Sequence, residues 1–124
     1  MAKILVIEDE HQMRVNIATI LEMEEFDVLC AENGRRGVEL ALTEKPDLIL
    51  CDLMMPDIDG EAVLEHLRRE PHTARIPFVF LSARGQTAFL KKALPLGPER
   101  YLGKPVSAQE LLDMIQRHLS ANSS

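Results

Sequence analysis

The strongest constraint on this chain is a set of short apolar runs that do not alternate with polar residues. KILVI (3–7), LILC (48–51) and FVFL (78–81) are continuous or nearly so, and FDVLC (26–30) and RYL (100–102) are shorter versions. Runs of this length, rich in β-branched and aromatic side chains, predict strands covered on both faces. Between them apolar residues recur at helical spacing. Met13, Ile17, Ile20 and Leu21 form one stripe within His11–Glu24, and Val38, Ala41 and Leu42 another within Gly34–Glu44, closed by Pro46. Val63, Leu64 and Leu67 lie together within Gly60–Arg69. Residues 86–94 read as helix until Pro95, and Ser107 is placed to cap a last helix with Leu111, Leu112, Ile115 and Leu119 on its apolar face. Strands alternating with helices predict an α/β domain with a parallel sheet.

In such sheets ligands gather beyond the carboxyl ends of the strands. Glu8, Asp9 and Glu10 follow the first strand, Asp52 ends the third, Ser82 follows the fourth, and Lys104 with Pro105 follows the fifth. Several acids, a hydroxyl and an ammonium are therefore expected on one rim. Taken singly, Glu10, Asp57 and Asp59 read as loop or helix-capping acids. Taken together, close carboxylates repel unless a cation neutralises them. An all-oxygen donor set suits Mg²⁺, which keeps several waters and needs few carboxylates.

Composition excludes several alternatives. The 124 residues, 46% of them hydrophobic, suffice for one domain, and 4% aromatic content without Trp implies an aliphatic core. A net charge of -6 argues against direct nucleic-acid binding through a basic face. No apolar run has the length of a membrane span, and the N-terminus lacks the pattern of a signal peptide. A cytoplasmic, reducing setting is expected, with Cys30 and Cys51 as free thiols in buried strands. The glycine patterns of dinucleotide and P-loop sites are missing. MPDIDG fails as a calcium loop, because Met55 and His66 would stand where oxygen donors are required. The four histidines share no zinc spacing.

VIEDE (6–10), PDLILCDLMMPDIDG (46–60), FLSAR (80–84) and YLGKP (101–105), in this order and each at a predicted strand, resemble the receiver domain of bacterial two-component response regulators. The resemblance runs from Lys3 to about Leu119. It implies a flavodoxin-like fold: a five-stranded parallel sheet in order 2-1-3-4-5 with helices on both faces. Residues 1–120 are then the receiver and 121–124 a polar tail. That order would set Cys30 and Cys51 two strands apart, too far for a disulfide.

The resemblance also implies roles. Asp52 matches the phosphoacceptor. Glu8 and Asp9 match the acidic pair that holds Mg²⁺, with Mn²⁺ as a substitute, and Asp52 and the backbone carbonyl of Met54 match further ligands. Lys104 pairs with phosphoryl oxygens, the Ser82 hydroxyl moves onto them, and Tyr101 turns inward in response. Pro56, Gly60 and Pro105 shape the loops, while the side chains of Met54 and Arg84 tune the phosphoryl lifetime. A sensor histidine kinase or phosphotransfer protein is the implied donor, with an output protein or linked effector domain downstream. GPER (97–100) departs from the family's usual acidic run, and with Pro95 it predicts an altered output face. The competing readings are a receiver-like binding module that is not phosphorylated and a phosphatase with an aspartyl nucleophile. Against the phosphatase, Met54 stands where a second aspartate would be needed.

Overall fold

The computed structural model describes residues 2–82, 100–103 and 107–122, with the side chains of 100, 101 and 120–122 excepted. The expected helix at 86–94, and with it Arg84, Pro95, Pro98, Lys104 and Pro105, lies outside the described residues.

Strands β1 (Lys3–Ile7), β2 (Asp27–Ala31), β3 (Leu48–Asp52), β4 (Phe78–Ser82) and β5 (Arg100–Gly103) form one parallel sheet in order β2-β1-β3-β4-β5. The helices among the described residues are α1 (His11–Met23), α2 (Gly34–Glu44), α3 (Gly60–Arg69) and α4 (Ala108–Asn122). Successive residues of a strand point to opposite faces, and the sheet uses both. Ile4, Val6, Leu48, Leu50, Val79 and Leu81 pack with Ile17 and Leu21 of α1 and with Leu111 and Ile115 of α4. Their neighbours Leu5, Ile7, Ile49, Cys51, Phe78 and Phe80 pack with Val38 of α2 and with Val63, Leu64 and Leu67 of α3. Each fully buried aliphatic side chain contributes about 1.5–3 kcal/mol. This double coverage is why the central strands are apolar at every position.

Among the described residues predicted and observed elements agree to within a residue or two, and Ser107 caps α4 as expected, its Oγ accepting from Glu110 N at 3.1 Å. One expectation is corrected. Cys51 is buried, but Cys30 is exposed. It lies on β2, an outer strand paired only with β1, whose residues are mostly exposed or half-buried. An edge strand has no neighbour on its far side to shield it. Both thiols are free, and β1 separates their strands. Among the described residues no helix is long and apolar enough to cross a membrane.

Helix ends account for two of the acids. Asp59 is the N-cap of α3 and accepts from Ala62 N at 2.8 Å. Asp57 caps a different helix: its two carboxylate oxygens accept from Gly34 N (3.1 Å) and Arg35 N (2.9 Å) at the start of α2. Glu10 stands at the N-cap of α1 without a side-chain capping bond.

Candidate functional site

The parallel register brings the strand ends to one edge. Ile7 pairs with Cys51 and Asp52 with Leu81, so Glu8 leaves β1 beside the end of β3. Glu8 N donates to Ala31 O at 3.0 Å, which ties the same point to β2. Ser82 closes β4 opposite Gly103, the last residue of β5.

Glu8, Asp9 and Asp52 each offer a carboxylate oxygen, and the three oxygens lie within 4.8 Å of one another. Glu8 and Asp52 are buried, at 0% and 5% exposure, while Asp9 is exposed. Two buried anions beside a third are costly without a compensating cation. The donor set is oxygen only, with one face open to solvent, so a hard divalent cation such as Mg²⁺ or Mn²⁺ fits it better than a soft metal. The negative field reaches the neighbouring thiol: burial pushes Cys51 well above its ordinary pKa, and the Asp52 and Glu8 carboxylates push it further. Cys51 is therefore a neutral packing residue and no nucleophile.

Ser82 is buried at the same edge, and Met54 is exposed on the loop that follows Asp52. Tyr101 pairs with Phe80 through the β5 backbone, but its side chain is outside the described set. Lys104, Pro105 and Arg84 are outside it altogether.

The loop after Asp52 is held closely. Gly60 N donates to Leu53 O at 2.8 Å. A Cβ on Gly60 would lie 2.5 Å from the Asp52 carbonyl oxygen and 2.8 Å from the Phe80 ring, so the turn requires glycine for space. Gly34, at the start of α2, leaves no room for a Cβ against Ile58 Cγ1 (2.5 Å) and Ile58 O (2.8 Å). With the Asp57 cap, this seats the β3–α3 loop on the N-terminus of α2.

This architecture has close relatives. The family model described as response regulator receiver domain matches residues 4–116. The chain belongs to the response regulator receiver domain family. The receiver is 38% identical over 116 residues to the DNA-binding dual master transcriptional regulator RpaA of Synechocystis sp., covering 94% of this chain and 48% of that protein. It is 34% identical over 120 residues to Protein PilH of Pseudomonas aeruginosa, covering 97% and 99%. It thus spans about half the length of RpaA and nearly all of PilH. Among solved structures, the signal receiver domain of a signal transduction histidine kinase from Syntrophus aciditrophicus superposes with a TM-score of 0.91 at 28% identity, covering 99% of this chain and 93% of that one. The receiver fold is that of two-component signalling proteins, and the five-stranded order expected from the motifs is the observed one.

Two residues in the site's surroundings were not singled out from the sequence for the positions they hold. Asp57 reads as a turn acid, and its partners lie 22 and 23 residues away. Arg14 reads as an ordinary residue of α1, yet it is half-buried and its guanidinium turns back onto the β1–α1 loop. The available signal was its place at the start of a helix, where a cation opposes the macrodipole.

Proposed function

We propose that this receiver is a phosphorylation switch in which Asp52 accepts a phosphoryl group from a phosphohistidine donor. The observation that carries the reading is the convergence of Glu8, Asp9 and Asp52 within 4.8 Å at the carboxyl edge of the sheet. Asp52 terminates a fully buried strand, so its backbone is rigid while its carboxylate reaches the rim. A carboxylate oxygen of Asp52 attacks phosphorus, the phosphorus–nitrogen bond of the donor breaks, and its electron pair returns to the imidazole. An acyl phosphate forms, and no other atoms are exchanged.

Glu8, Asp9, Asp52 and the Met54 carbonyl are the residues that would hold Mg²⁺, or Mn²⁺ in its place. When bound, the ion supplies positive charge to the equatorial oxygens, where phosphoryl transfer concentrates negative charge. Lys104, one residue beyond β5, adds a second cation for the same oxygens. Ser82 donates its hydroxyl to one of them, and the movement of its loop admits the Tyr101 ring. The new group carries roughly two negative charges and so biases a two-state element. Pro56, Gly60 and Pro105 set the loops, and Met54 and Arg84 flank the approach and tune hydrolysis. A histidine kinase or phosphotransfer protein supplies the phosphoryl group in the cytoplasm. A separate or covalently linked effector receives the signal, and this domain itself touches no nucleic acid.

The test uses acetyl phosphate or phosphoramidate as donor and intact-mass spectrometry as readout. The expected result is one added phosphoryl group in Mg²⁺, none in EDTA, and none for Asp52→Asn. Labelling that persists in EDTA refutes the metal requirement, and labelling of Asp52→Asn refutes the site. A wild-type chain that takes no label from either donor favours the unphosphorylated binding module.

A further inference from the structure

Three consecutive carbonyls of the β1–α1 loop end on one residue. Arg14 Nη1 donates to Glu8 O at 2.9 Å and reaches Asp9 O at 3.5 Å, and Arg14 N donates to Glu10 O at 3.0 Å. Its second terminal nitrogen, Nη2, lies 3.1 Å from His11 Nδ1. Within the loop Glu10 N donates to Glu8 Oε2 at 3.1 Å, and Glu8 N donates to Ala31 O of β2. The acid pair thus stands on a backbone whose carbonyl side is gathered by a single guanidinium.

Helix geometry explains how Arg14 reaches there. Side chains on a helix lean toward its N-terminus, so a long residue in the first turn folds back over the incoming loop. Its charge is badly placed for α1 itself: a cation near a helix N-terminus opposes the macrodipole. The first turn of α1 holds no acid, and Glu10 at the N-cap makes no side-chain capping bond. A cation kept at such a position, with its Nη1 on the carbonyls of Glu8 and Asp9, points to a role in the loop and not in the helix.

We propose that Arg14 is a positioning residue for the Glu8–Asp9 acid pair, presetting the loop so that both carboxylates meet that of Asp52 around a divalent cation. This rests on the metal reading given above. The guanidinium has two opposed effects on that cation. Its positive charge repels the ion, while its bonds to the carbonyls spare the loop the cost of ordering when the ion binds. The two effects predict opposite signs when Arg14 is replaced, and positioning predicts weaker binding.

The experiment titrates MgCl₂ into the metal-free 124-residue chain by calorimetry, for wild type, Asp9→Asn, Arg14→Gln and Arg14→Lys. Thermal melts in EDTA establish that each variant is folded. Arg14→Gln is expected to bind Mg²⁺ about tenfold more weakly than wild type, the low end of what outer-shell partners of metal ligands carry. Arg14→Lys keeps the repelling charge but loses the guanidinium bonds, and is expected to bind at least as weakly as Arg14→Gln. If Arg14→Gln does not fold, weakened binding by Arg14→Lys carries the same inference. Amide exchange at Glu10 in metal-free protein should quicken in the variants. Mg²⁺ affinity that is unchanged or tighter in folded variants, with Asp9→Asn still losing binding, overturns the role of Arg14 and leaves the metal site standing. A wild-type chain with no saturable Mg²⁺ binding overturns both.

Discussion

The two acid-bearing loops of this receiver are held by devices of opposite charge. The β1–α1 loop presents carbonyls, and a cation gathers them: Arg14 on Glu8 O and Asp9 O. The β3–α3 loop presents an anion, and backbone donors gather it: Asp57 on Gly34 N and Arg35 N. The first device is a side chain of the helix that follows the loop. The second reaches a helix that precedes it by more than twenty residues. The first loop contains no glycine, whereas the second turns on Gly60 and rests against Gly34. One loop is thus braced locally by a flexible side chain, and the other is wedged by close backbone packing. Precision of this kind at both loops is what a site built from separate strands requires.

The wedge should be the more fragile of the two. In Gly60→Ala the new methyl would meet the Asp52 carbonyl oxygen, a backbone atom that cannot move aside without shifting β3. A stability loss of about 1–3 kcal/mol is expected, the usual range for overpacking. Gly103→Ala is the control, since among the described residues nothing lies within 4 Å of its added Cβ. Urea unfolding of the two variants should separate them clearly. Equal, small effects would show that the β3–α3 loop is as compliant as its counterpart.

The Asp57 cap ranks next. Asp57→Ala removes the acceptor for two helix N–H groups, and N-cap replacements of this type cost about 1 kcal/mol. Asn33 still caps α2 through Arg36 N at 2.8 Å, which limits the damage. Amide exchange of Gly34 and Arg35 should quicken in this variant while that of Glu10, in the other loop, stays put. Faster exchange at Glu10 would mean that the two loops are held as one unit.

These contrasts also explain what could be read in the sequence. The sheet was legible because burial on both faces writes an unbroken apolar run, as in LILC and FVFL, and α4 was legible from Ser107 and its stripe. Glu8, Asp9 and Asp52 were legible because acids at strand ends have one edge to occupy. Cys30 was misjudged because a run of apolar residues does not say whether its strand is central or outermost; only pairing does. Asp57 resembled any turn acid, since its meaning depends on a helix start 23 residues earlier. The steric need at Gly60 required knowing where the Asp52 carbonyl points. Local pattern records which side chains are buried, and long-range backbone contacts leave little trace in it.

The smallest effect is the most discriminating, because the two braces differ in whether acid can release them. Burial works against the Asp57 carboxylate, but hydrogen bonds from the backbone N–H groups of Arg35, Ile58 and Gly34 outweigh it and lower its pKa from the ordinary value of 3.8. A carboxyl whose folded pKa is depressed stabilises the fold above its unfolded pKa, and that contribution is lost as pH falls through the folded value. Between neutral pH and roughly pH 4 the stability difference between wild type and Asp57→Asn should therefore hold steady, and below that it should shrink. The Arg14 bonds to the carbonyls of Glu8 and Asp9 involve no carboxylate, so acid has no acceptor to protonate there. Urea unfolding of the pair across a pH series measures the closure. A difference that is unchanged well below pH 4, or that widens there, would mean that the charge on Asp57 does not hold the cap and that a neutral acceptor serves α2 equally well.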